Sequence, residues 1–171
     1  MTATAELVRE KAADRARRET DPEPMVGRAA DLLGGFQTFR CHILTRMDAH
    51  QIILQGLPGR ALVSLSQNVP IIRHADTFEK AVGVSMRTFQ RKKKEPAKGK
   101  LNQEQSGRAW KFAEIVGNAA EVLGSIEEAE QFMERPAIGL DQNRPIDLLA
   151  TPAGVEMVET YLQRIKYGVY M

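Results

Sequence analysis

Residues 102–124 constrain the fold more than any other stretch of the chain. Asn102 stands three positions before Gln105, the spacing of a capping box, in which each side chain satisfies a backbone N–H that the first helical turn leaves free. Gly124 is the residue type that closes a helix. Between these signals Trp110, Ala113, Gly117 and Ala120 recur on one face, and Ala109, Phe112, Val116, Ala119 and Leu123 on the adjacent one. A surface helix carries one apolar stripe, so an arc this wide predicts burial on two sides.

The flanking segments repeat that grammar, with a period near 3.6 and few alternating runs, so the chain reads as all-α. Val26 to Leu33 reads as a short helix closed by Gly34 and Gly35, and Phe36 to Leu44 as an extended segment or linker because of its β-branched and aromatic content. Thr45 caps a helix from about Arg46 to Gln55, with Asp48 in its first turn and Met47, Ile52 and Ile53 facing inward. Leu57-Pro58 begins another, carrying Leu62, Val63 and Leu65 and interrupted at Asn68 to Pro70, and Thr77 caps one that holds Phe78, Ala81 and Val82. Past Gly124, Ser125 and Glu128 form a second capping box for a helix with Ile126, Ala129, Phe132 and Met133. A loop from Ile138 to Arg144 leads into a turn or two of helix at Pro145 to Leu149. Thr151-Pro152 then starts a final helix with the stripe Val155, Val158, Leu162 and Ile165. Residues 1–24 alternate charges without such a stripe, and Asp21-Pro22-Glu23-Pro24 cannot continue a helix. They read as a mobile arm ahead of a helical region over 25–100 and a second helical domain over 101–171.

The formal net charge of +2 is unevenly placed. Residues 85–100 hold seven lysines and arginines against one glutamate, whereas residues 101–171 hold six against eleven carboxylates. Focused positive charge serves either contact with a polyanion or a solvated basic linker, and charge alone leaves both open. The surrounding residues are more specific. Phe78 to Val82, then Gly83-Val84, then Ser85 opening a helix to about Lys94 follow the order of a helix-turn-helix over about 77–94, whose second helix enters the DNA major groove. Phe78, Val82, Val84 and Phe89 are expected inward. Arg87, Thr88, Gln90, Arg91, Lys93 and Lys94 are the candidate DNA-binding residues, arginine and glutamine being suited to base edges and Lys92, Lys93 and Lys94 to phosphates. Two positions depart from the common pattern: Glu79, where a small residue is usual, and Lys92, where an apolar residue usually closes the core.

Nothing in the chain reads as a catalytic centre. Cys41, His42, His50 and His74 lack the paired spacing of a zinc site, and a lone cysteine forms no intrachain disulfide. Gly34-Gly35 and Gly56 to Gly59 lack the strand and lysine of a phosphate-binding loop, and the glutamates of residues 127–134 read as a solvated helix face. The chain is therefore expected to be no enzyme, to use no cofactor and to hold no metal. With 43% hydrophobic residues in a length of 171 it has the make-up of a soluble globular protein, and no apolar run approaches the roughly 20 residues of a membrane span. The N-terminus lacks the apolar centre of a secretory signal, so a cytoplasmic location without a membrane partner is expected.

Taken together, three stretches resemble one family. Leu101-Asn102-Gln103-Glu104-Gln105-Ser106, Arg144-Pro145-Ile146-Asp147-Leu148-Leu149-Ala150-Thr151-Pro152-Ala153-Gly154 and Arg164-Ile165-Lys166-Tyr167-Gly168-Val169-Tyr170 are similar to the C-terminal domain of the Xre/MbcA/ParS-type antitoxins that accompany RES-domain toxins. Gly83 to Arg91 is similar to that family's DNA-binding unit, and the resemblance covers roughly residues 50–170. It implies an antitoxin of a type II toxin-antitoxin system, with an Xre-like helix-turn-helix region that binds its operon's own promoter and a small helical domain that captures a RES toxin. Such toxins resemble ADP-ribosyl-transferring enzymes and deplete NAD. The resemblance further implies that the antitoxin's C-terminal end covers the toxin's active site, and that the protein is a homodimer, for which the two-faced helix is a candidate element.

Toxin contact accordingly falls on Arg144, Arg164, Tyr167, Gly168, Val169 and Tyr170. Tyrosine offers a large contact area at little rotamer cost, as an interface anchor requires. Plainer roles remain open at the same positions. Arg144 and Asp147 can simply tie the loop before the short helix, and Tyr167 and Tyr170 can cover the domain's own core, or divide the tasks with Tyr167 internal. A stand-alone helix-turn-helix transcription regulator with a C-terminal dimerisation domain is the alternative from another class, and a scaffold protein that binds no DNA is a third.

Overall fold

The structure, a computed structural model, describes residues 23–94 and 99–168. The arm read over residues 1–24 therefore lies almost wholly outside the described residues, as do Val169 and Tyr170. Among the described residues there are ten α-helices and two 3-10 turns, so the fold is all-α as expected. In chain order the helices are α1 (Pro24–Leu32), α2 (Gly35–Phe39), α3 (Arg46–Gln55), α4 (Gly59–Asn68), α5 (Ala75–Val82), α6 (Met86–Lys94), α7 (Gln103–Leu123), α8 (Ile126–Glu134), α9 (Pro145–Leu148) and α10 (Pro152–Tyr167). The 3-10 turns are Pro70–Arg73 and Ile138–Leu140.

The two-faced helix is the axis of the molecule. Asn102 and Gln105 make the reciprocal capping box, with Gln105 N donating to Asn102 Oδ1 at 2.8 Å, and Gly124 closes α7 at φ 104°. Helices α1, α3, α5, α8 and α10 all pack on α7. Phe112, Ala113, Ile115, Val116 and Ala119 are buried in consequence, each large apolar side chain contributing on the order of 1.5–3 kcal/mol. Gly117 lets α1 approach, since a Cβ there would lie 3.2 Å from that of Arg28. Arg28 in turn pairs with Glu121. Lys111 ties α7 to α10 through Glu159 at 3.2 Å while also holding Glu114 at 2.7 Å. Burial works against its charge, but the two carboxylates outweigh it and raise the ammonium's pKa. Both apolar faces of α7 are thus occupied by helices of the same chain. Of the two faces on which a dimer contact was expected, Ala120 and Leu123 near the end of the helix stay partly exposed.

Three further caps expected from the sequence are in place, the one at Ser125 through its serine half. Thr45 and Asp48 form a full box, Ser125 accepts from Glu128 N at 3.1 Å, and Thr151 accepts from Gly154 N at 3.1 Å. The hydrogen bonds from Leu44 and Thr45 hold the Asp48 carboxyl below its usual value.

Other expectations are overturned. Residues 35–39 form α2 rather than an extended segment, because Gly34 reverses the chain at φ 96° and Phe39 packs its ring 6.4 Å from that of Trp110. Tertiary packing overrides local β preference there. Met47 is 62% exposed rather than inward, since it lies across α3 from the packed set Ala49, Ile52 and Ile53. Helix α5 starts at Ala75, so Thr77 is a buried first-turn residue and not the cap. Glu130 is not merely a solvated glutamate: it accepts from Ile71 N at 2.6 Å and fastens the first 3-10 turn to α8.

Candidate nucleic-acid and protein interfaces

Gly83 joins α5 to α6 at φ 70°, and a Cβ placed on it would come within 2.6 Å of the Arg108 guanidinium. Glycine meets both conditions without strain and without moving Arg108. From α7, Arg108 Nη2 donates to Lys80 O at 2.5 Å, a carbonyl of the last turn of α5, and reaches Glu79 O at 3.4 Å, which also accepts from Gly83 N at 2.8 Å. Its Nε is buried without a partner. The helix-turn-helix is therefore clamped onto the central helix. Phe78, Val82, Val84 and Phe89 are all buried as expected, with the rings of Phe78 and Phe89 4.6 Å apart.

Helix α6 turns its remaining side outward. Arg87, Gln90, Arg91 and Lys94 share one face at helical spacing and are exposed, and Lys93 is exposed beside them. Thr88 is half-buried and engaged with the start of the helix: its N–H reaches Ser85 Oγ at 3.4 Å, and the two hydroxyls are 3.2 Å apart. Lys92 corrects the expectation of a phosphate contact. It is 8% exposed, lies opposite the open face, rests its stem on Gly59 and donates from Nζ to Lys100 O at 3.3 Å. Its stem does the packing expected of an apolar residue at that position. Burial, and then Arg91, push its pKa down.

The candidate toxin-contact residues fall into two groups. Arg144 forms a bidentate pair with Asp147, Nε to Oδ2 at 2.7 Å and Nη2 to Oδ1 at 2.9 Å, and Lys80 Nζ reaches the same Oδ1 at 2.7 Å. Arg144, then Lys80, hold the Asp147 carboxyl below the ordinary 3.8. Arg144 thus ties the start of α9 to Asp147 within it, the plainer of its two roles, and Lys80 joins that pair to α5. Arg164 and Tyr167 lie instead on α10, both exposed, with Tyr167 at 74%. The division of tasks that kept Tyr167 internal is corrected by that exposure. Gly168 closes the helix in the left-handed region, φ 66°.

No short-range signal marks Arg108, Lys80 and Glu130 as fasteners between helices, because each acts on a backbone or side chain far along the chain. Cys41 is exposed and His42 lies 5.0 Å from the Phe36 ring. Among the described residues no group of histidine, cysteine and carboxylate side chains could hold a metal, and no helix is long and apolar enough to cross a membrane.

Residues 48–114 match the family model of the antitoxin Xre-like helix-turn-helix domain, and residues 118–168 that of the antitoxin Xre/MbcA/ParS C-terminal toxin-binding domain. Antitoxin Xre of Photorhabdus laumondii subsp. laumondii is 29% identical over 119 residues, 69% of this chain and 78% of that one. A helix-turn-helix joined to a toxin-binding helical domain defines the class, the antitoxins of toxin-antitoxin systems. Within it, the chain carries both domains of the Xre-type antitoxins. The two matches meet inside α7, the helix both domains pack against.

Proposed function

We propose that this antitoxin neutralises a RES-domain, NAD-depleting toxin by covering its active site with the end of α10 and the tail beyond it, and represses its own operon through α6. It acts by stoichiometric binding rather than by catalysis. The observation that carries the reading is the pairing of two outward surfaces on one core: the cationic face Arg87, Gln90, Arg91 and Lys94, and the exposed Arg164 and Tyr167 at the end of a helix within the toxin-binding match. Lys93 supports the first with phosphate contact, and Thr88 positions its start. Gly168, Val169 and Tyr170 extend the second. Operator DNA and NAD both place this activity in the cytoplasm. A homodimer would present two recognition helices to a palindromic operator.

The test is co-expression of this protein with the RES toxin encoded beside it, reading growth and cellular NAD. Full-length antitoxin is expected to preserve both, and removal of Tyr167 to Met171 to abolish protection while promoter binding in a gel shift persists. A folded truncation that still protects would sink the active-site plug, and NAD loss unaffected by the full-length protein would sink the choice of toxin.

A further inference from the structure

The family match assigns toxin binding to residues 118–168 without naming a surface, and three outward faces compete within that span. The outer face of α8 carries exposed Glu127, Glu128, Gln131 and Glu134, which water solvates well. One side of α10 carries Glu159, Gln163 and Lys166. Two of these are already engaged by the chain itself, Glu159 with Lys111 and Lys166 with Glu121, each at 3.2 Å. The other side of α10 has no such partners in the fold.

On that side Ala153, Met157, Tyr161 and Arg164 recur at helical spacing and run to the C-terminal end of the helix. They face Gly139 and Leu140 of the second 3-10 turn across a groove of about 450 Å3 that Glu156 and Thr160 also line, and Ile138 precedes Gly139 in that turn. Ile138 is 83% exposed and Met157 42%, and with Tyr167 they are the exposed large apolar side chains of the matched span. The groove is set in advance: Tyr161 stacks on Phe132 with centroids 6.0 Å apart, and its ring covers Gly139 so closely that any side chain there would displace it.

We infer that the toxin docks along this groove, with Ile138 and Met157 as apolar anchors, Tyr161 as the floor, and Arg164 leading toward the tail. Two observations select the toxin as occupant. The groove lies inside the toxin-binding match. It is continuous along α10 with the exposed Arg164 and Tyr167. The inference rests on toxin binding by this domain, not on the identity of the toxin.

Its test uses the full-length protein and the purified toxin encoded beside it, with affinity measured by calorimetry. Ile138→Asp combined with Met157→Glu is expected to weaken toxin binding roughly thirtyfold or more, a loss typical of interface anchors. Promoter affinity and melting temperature should stay unchanged, and Met47→Glu on α3, equally exposed, should bind the toxin as the wild type does. A double variant within threefold of a tightly binding wild type overturns the inference and leaves the proposed function standing. A variant whose dimer falls apart while toxin affinity holds also overturns it, with a second copy as the occupant. A wild type that binds no toxin overturns both.

Discussion

Helices α6 and α10 are seated in the same way and differ in what they leave outside. Helix α6 is held by Phe89 and the stem of Lys92, and α10 by Val158 and Leu162. The free face of α6 is guanidinium, ammonium and amide, whereas that of α10 offers a thioether and a tyrosine ring with Glu156, Thr160 and Arg164 beside them. A cationic face attracts phosphates over a distance set by the ionic strength, and an apolar face works only in contact and is nearly blind to salt. The difference teaches that one core can serve two macromolecular partners whose affinities respond to different variables.

The largest expected effect erases that distinction. Phe112→Ala empties the core of the shared helix and should cost about 3–5 kcal/mol in urea unfolding, with promoter and toxin binding lost together. Survival of either at wild-type stability would show that α7 is not common to both. A more selective change sharpens the comparison. Arg87→Ala with Arg91→Ala should lower promoter affinity on the order of a hundredfold and flatten the log–log salt dependence by about two, with toxin affinity constant across the salt series.

Lys92 yields a smaller effect of opposite sign. Lys92→Met should raise stability by about 1 kcal/mol, because a buried ammonium is replaced by an apolar side chain of similar length. Its pKa is lowered in the fold, so the cost of burying the charge is present at neutral pH and relieved as pH rises through the folded value toward 10.5. The gap between variant and wild type in thermal melts should therefore narrow in alkali; a constant gap would assign the gain to packing alone. The smallest effect belongs to Asp147→Asn. The native carboxylate, held below 3.8, stabilises fully above that pH and loses its contribution as pH falls through the folded value. The variant should melt slightly below the wild type at pH 7, with the gap closing in acid, and small throughout because solvent reaches the pair.

What the sequence makes legible is what neighbours in the chain decide. Thr45, Asn102, Ser125 and Thr151 cap as read because donor and acceptor lie within one helical turn, and the two-sided burial of α7 follows from its own apolar arc. Residues 35–39 were misread because Phe39 answers to Trp110, some seventy positions away, and not to its neighbours. In the candidate sites, the outward set on α6 is legible from helical spacing, but the burial of Lys92 depends on Gly59 and Lys100 meeting behind it. Leu140 and Met157 share a groove, with Ile138 in the same turn, only because the second 3-10 turn folds back against α10, so no spacing along the chain announces it.

Arg108 reaches from the central helix to the carbonyls of Glu79 and Lys80. A fragment that stops at the end of α6 would leave the Lys80 carbonyl without that donor. The half that carries α6 is thus not a portable module: cut free ahead of Arg108, it would lose a contact that shapes it along with its tether. A single break in that part of α7 would be felt by the helices packed on both ends of it.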